Sequence, residues 1–167
     1  MENLRYKTGL KRFGAAMIDG VIFMPVVFIQ NWLFDITESL AIKIGWTIFV
    51  LFLSFFYSIF LHYKYGQTVG KWITGVKVLN IDELKTMTFK QCVLRDSFYL
   101  ITEVLALLYF TYMFFGSSQH AKLFDNYREF NTYPTLIWTL LELISMLTNS
   151  KRRAVHDFLA NSVVIRL

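Results

Sequence analysis

The stretch from Lys11 to Phe34, KRFGAAMIDGVIFMPVVFIQNWLF, constrains this chain more than any other. After Arg12 come about twenty mostly apolar residues, enough to cross a hydrocarbon core of roughly 30 Å at about 1.5 Å per residue. Asp19 sits inside that run. A carboxylate at membrane depth costs on the order of a few kcal/mol, so it needs a partner or a purpose. Arg12 lies seven residues earlier, about two turns away on the same helical face. The rest of the chain reads as further helices and charges arranged around Asp19.

Composition agrees. Of 167 residues, 55% are hydrophobic and 18% aromatic, where a soluble domain is nearer about 45–50% apolar. The excess is clustered into long runs, which indicates one integral membrane domain. The first run has basic residues ahead of it, as a signal peptide does. It is too long for a signal core, and QNWLFDITES offers no small-x-small cleavage site, so it is expected to stay as an anchor. Cys92 is the lone cysteine, which leaves no internal disulfide and no cysteine metal cluster. No His/Cys spacing suggests a metal site, and no cofactor is expected.

The expected fold is an all-α membrane protein with four transmembrane helices, at about residues 13–34, 40–62, 97–115 and 134–149. A three-span arrangement, with one of the last two apolar stretches lying in the interface, is the alternative. Residues 116–133 read as a polar loop. Between spans two and three, glycines at 66, 70 and 75 break the helical pattern. A short amphipathic helix is expected near Thr68–Thr74, then a strand over VKVLN, residues 76–80. SVVIRL, residues 162–167, is also strand-like and could pair with it. Thr88-Phe-Lys-Gln resembles a capping box that starts the next helix.

Positive charge sets the orientation. Four Lys or Arg lie ahead of the first span, six lie in residues 64–97 and four in the tail, fourteen of the chain's seventeen. Lys43, Lys122 and Arg128 remain for the other side. The asymmetry places both termini in the cytoplasm. The net charge of +5 is therefore a topology signal, and no nucleic-acid partner is implied.

Three acids fall inside spans: Asp19, Glu103 and Glu142. Counted from Arg12, Arg95 and Lys151, each lies roughly 10–14 Å from the cytoplasmic edge, nearly in one layer. Such carboxylates often mark ion or proton paths, and these three could exchange a proton for a metal cation. The alternative is structural, with Asp19 a fixed partner of Arg12 or Arg95. Glu103 and Glu142 could be protonated and hydrogen-bonded between helices.

Other motifs carry less chemistry. GQTVGK has three residues where a phosphate loop needs four, and Trp72 where it needs Ser or Thr. His156-Asp157 could be an acid/base pair, but no serine or cysteine nucleophile motif accompanies it, and no enzymatic activity is expected.

Taken together, the motifs resemble the RDD family of small membrane proteins. Arg12-x-x-Ala15-x-x-x-Asp19 looks like the family's first-span motif. Gly66-Gln67-Thr68-x-Gly70-Lys71-x-x-x-Gly75-x-x-Val78 looks like its motif after the second span. Arg95 falls where the family's next helix opens with arginine. Arg153-x-x-His156-Asp157-x-Leu159-Ala160 looks like its carboxy-terminal motif. The resemblance makes Arg12, Asp19 and Asp157 the naming residues of a single RDD-like domain over residues 1–167. The chain departs from the family at Asn161-Ser162, where members often carry Gly-Thr, and in the long interval between Arg95 and His156.

Some members of that family are linked to exchange of sodium or potassium against protons. The resemblance therefore implies a cation/proton exchanger in a bacterial cytoplasmic (inner) membrane. Asp19 would be the ligand for Na+, K+ or Li+ and for the proton, with Arg12 beside it. Asp157 and His156 would form the cytoplasmic entrance or lock the tail against Arg12 or Arg95. A homo-oligomer is expected, because four short spans make a thin wall. The alternative is a scaffold or accessory subunit of a larger membrane complex.

Overall fold

The computed structural model describes residues 2–116 and 123–167. A short turn of helix, α1 (Glu2–Arg5), leads to the long α2 (Gly9–Ile36), which runs through Pro25. A second long helix, α3 (Leu40–Tyr65), follows, then α4 (Val69–Thr74) and strand β1 (Val76–Asn80). Two more long helices, α5 (Phe89–Gly116) and α6 (Leu123–Thr148), precede α7 (Val155–Leu159) and strand β2 (Ser162–Arg166).

The helix ends follow local chemistry. Gly66, at φ 71°, caps α3, and a Cβ there would come within 2.6 Å of the Val78 carbonyl oxygen. Thr68 caps α4, its hydroxyl oxygen accepting the Lys71 N–H, and Gly75 at φ 66° ends that helix. These are left-handed positions that glycine occupies without a Cβ penalty. At the start of α5, the Thr88 N–H donates to Gln91 Oε1 while the Gln91 N–H donates to Thr88 Oγ1, the expected capping box.

The helices α2 and α3 are each long and apolar enough, over Gly9–Ile36 and Ala41–Tyr65, to cross a membrane. A soluble protein would bury such runs, yet none of the most apolar window of α3 is buried. Phe13, Met17, Phe28 and Trp32 of α2, and Phe49, Phe52 and Phe56 of α3, all face outward. Outward apolar residues recur on α5 at Ile101, Leu105 and Leu108, and on α6 at Leu136, Leu140 and Leu147.

The densest core lies at one end, around the two strands. They pair antiparallel, Val76 opposite Arg166 through Asn80 opposite Ser162, as the two valine-rich segments suggest. Side chains alternate between the two faces. Val76, Val78 and Val164 pack with Met87 and Cys92 on one face, while Leu79, Val163 and Ile165 meet Tyr6 and Ile81 on the other.

The structure corrects the reading of residues 116–133 as a loop. Residues 117–122 lie outside the described residues, but from Leu123 the chain is helical and continues through Pro134 to Thr148. Mixed polar composition hid this helix, because the apolar pattern used to find spans begins only at its second half.

Candidate functional site

Where α4 meets α2, two backbones come into close contact. A Cβ added to Gly70 would lie 2.1 Å from the Ala15 carbonyl oxygen, so only glycine fits. This approach lays the first turn of α4 on the Asp19 carboxylate. Asp19 Oδ1 accepts the Gly70 N–H (2.8 Å) and the Tyr57 hydroxyl (2.7 Å), and Oδ2 accepts the Thr68 hydroxyl (2.6 Å). The Tyr57 oxygen in turn accepts the Val69 N–H. Asp19 is thus held by three donors from two neighbouring elements.

Asp19 does not pair with Arg12 or Arg95, one of the two arrangements its position in the sequence allowed. Both arginines reach Asp157 instead. Arg12 Nη1 lies 2.6 Å from Asp157 Oδ2, and Arg95 Nη1 lies 2.5 Å from Oδ1. Asp157 is fully buried, and Arg95 nearly so. Its carboxylate also reaches back to the Ala154 N–H at the start of α7 (2.9 Å). Burial alone would push the Asp157 carboxyl up, but Arg95 and Arg12 overcome this and hold it well below the usual carboxylate range. One carboxylate therefore ties the start of α2, the start of α5 and the tail together.

The remaining groups complete this cluster. Arg12 also donates through Nε to Thr8 and through Nη2 to the Arg152 carbonyl. Arg95 donates to the Ser162 hydroxyl, 3.0 Å away. Arg95 Nη2 lies 2.7 Å from His156 Nε2, and a guanidinium cannot accept, so that ring nitrogen carries the lone pair. His156 Nδ1 then bears the hydrogen and donates it to Glu142. Glu142, singled out as an intramembrane acid, is therefore the partner of the tail histidine. Glu103 lies on α5 seven residues beyond Asp96, about 10 Å further along the axis.

Lys71, from the motif after the second span, points to a different group. Its Nζ lies 2.6 Å from His62 Nε2. His62 Nδ1 faces the Ser58 carbonyl (2.8 Å) and the Ser58 hydroxyl (3.3 Å), and that hydroxyl donates to Asp96 (2.5 Å). Burial, reinforced by Arg95, pushes the Lys71 amine down to about 7, with Asp96 and Asp19 opposing.

Sequence reasoning did not single out Tyr57, Ser58, His62 or Asp96. Two signals were present: Asp96 directly follows Arg95, and Ser58 and His62 share a face at i, i+4 near the end of the second apolar span.

The departure at Asn161-Ser162 has a physical reading. Asn161 sits at φ 49°, a left-handed position that glycine takes most readily and asparagine next. The Ser162 hydroxyl stands between Arg95 and Asp157, where a threonine hydroxyl would serve equally.

Comparison with known proteins adds one finding. The RDD family model matches residues 6–161, nearly the whole chain. No curated protein and no solved structure matches.

Proposed function

The chain belongs to the RDD family, and from that premise we propose that this membrane protein exchanges protons for monovalent cations, Na+, K+ or Li+, at Asp19. The observation that carries this reading is the shell of Asp19. Two of its three donors are hydroxyls, from Tyr57 and Thr68. A hydroxyl can turn its hydrogen away and present a lone pair, so the shell can adjust when a cation replaces the proton. An arginine partner would instead compete with a cation at every step. With Arg12 and Arg95 committed to Asp157, Asp19 is left without a fixed cationic partner among its hydrogen bonds.

In this reading all four long helices span the bacterial cytoplasmic membrane, with both termini inside. Self-association helps four spans enclose a pathway. The test uses purified protein in liposomes carrying an internal pH dye, pulsed with Na+, K+ or Li+. Cation-driven proton efflux that is lost in Asp19→Asn is the expected result. Efflux that persists unchanged in that variant overturns the proposal.

A second reading is an accessory subunit of a larger membrane complex. The Arg12–Asp157–Arg95 cluster favours it, because a buried carboxylate already taken by two arginines and a backbone N–H serves as a fixed joint. Purification that always brings down one stoichiometric membrane partner, from protein inactive in liposomes, would select this reading.

A further inference from the structure

The exchange site leaves a second set of polar groups unused. Lys71 from α4, His62 and Ser58 from α3 and Asp96 from α5 touch in series. The successive separations are 2.6 Å from Lys71 Nζ to His62 Nε2, 3.3 Å from His62 Nδ1 to Ser58 Oγ, and 2.5 Å from Ser58 Oγ to Asp96 Oδ2. His62 is buried, only 2% exposed, while Lys71, Ser58 and Asp96 are half-buried. A buried base between two titratable groups, joined by a hydroxyl, is more than packing requires. A structural histidine is satisfied by one donor and one acceptor, and His62 already has Lys71 and the Ser58 carbonyl. The additional hydroxyl link to Asp96 makes the chain continuous.

We propose that Lys71, His62, Ser58 and Asp96 form a proton relay, distinct from Asp19, that carries protons between α4 and the interior face of α5. The proposal rests on the exchange reading above, for which it supplies the proton route. In one transfer the Lys71 N–H bond breaks and an N–H bond forms at His62 Nε2. The His62 Nδ1–H bond breaks and its proton passes to Ser58 Oγ. The original Ser58 hydroxyl proton moves to Asp96 Oδ2. Lys71 ends as an amine, Asp96 as a carboxylic acid, and His62 in its other tautomer. No charge or atom is left over, and the return step runs through the same bonds in reverse.

The surroundings suit the task. Arg95 and Arg12 disfavour the charged form of Lys71, while Asp96 and Asp19 favour it. Lys71, pushed down to about 7, gains and loses its proton near neutral pH, where a transfer group works best.

Ser58→Ala removes the middle link and one oxygen, and Ser58→Thr restores it. In liposomes with an internal pH dye, Ser58→Ala should slow cation-driven proton flux by at least about 100-fold, the lower end of what a positioned transfer group contributes. Cation binding to the detergent-solubilised variant should be retained, and Ser58→Thr should recover most of the flux. Wild-type flux in Ser58→Ala overturns the relay, as does loss of cation binding together with flux.

A second readout separates the relay from the exchange reading. If wild-type protein moves no protons on any cation pulse, exchange fails, and the relay is judged by NMR of ring-15N histidine. Switching of the His62 proton between Nδ1 and Nε2 as pH passes through the Lys71 titration, absent in Ser58→Ala, supports it. A single fixed tautomer in wild type overturns it.

Discussion

Asp157 is the residue on which most other groups depend. It pairs with two arginines at a buried site, and removing one partner of such a set strands the others. Asp157→Asn should destabilise the protein by about 3–5 kcal/mol, because two guanidinium groups then stay buried without a counter-charge. Thermal unfolding of purified protein in detergent reads this directly. The sign of its pH dependence follows from the depressed folded value. The stabilisation is complete above the unfolded carboxylate value of about 3.9 and fades only as pH falls below it towards the folded value. The joint should therefore hold unchanged across neutral and mildly acid pH.

Lys71 behaves in the opposite sense. Its folded value, about 7, lies below the unfolded lysine value, so the folded protein binds its proton less readily than the unfolded chain. Stability should rise between about pH 7 and the unfolded value of about 10.4. Lys71→Met should flatten that rise, measured as unfolding temperature against pH.

At the scale of elements, α4 is positioned by close backbone approach and strand pairing rather than by helix propensity. Gly70→Ala places a Cβ at 2.1 Å from backbone that has little room to retreat. It should cost about 1–3 kcal/mol or more and lift α4 off the Asp19 carboxylate. Faster hydrogen exchange at the Gly70 and Lys71 amides, with the strand amides unchanged, is the measurement. The strands are held by their own core, so Met87→Ala, which opens space under Val76 and Val164, should cost about 2–5 kcal/mol.

Elements with strong local signals were legible in the sequence. The first two apolar runs, the capping box at Thr88, the glycine ends of α3 and α4, and the pairing of the two valine-rich segments each announce themselves within a few residues. The helical residues from Leu123 were missed although Leu123, Tyr127 and Phe130 stand at i, i+4 and i+7, because the polar residues between them read as a loop.

For the whole molecule, contacts between distant segments are what the sequence hid. Position in the chain puts Arg12 on the face of Asp19, but the fold brings Asp157 to Arg12 from 145 residues away. The family pattern named these arginines and aspartates without saying which would meet. A second tie gathers the amino-terminal segment, the turn after β1 and the tail. Glu83 receives the Tyr6 hydroxyl and Lys151, with Arg5 nearby. Basic segments that the charge pattern assigned to one membrane surface thus converge in space.

The central claim is that one carboxylate, Asp19, takes either a proton or a monovalent cation. The most direct measurement is proton release on cation binding, read with a pH indicator in weakly buffered detergent solution. The account predicts cation-dependent proton release from the wild type, and none from Asp19→Asn. Cation binding without proton release, or equal release from Asp19→Asn, would contradict it.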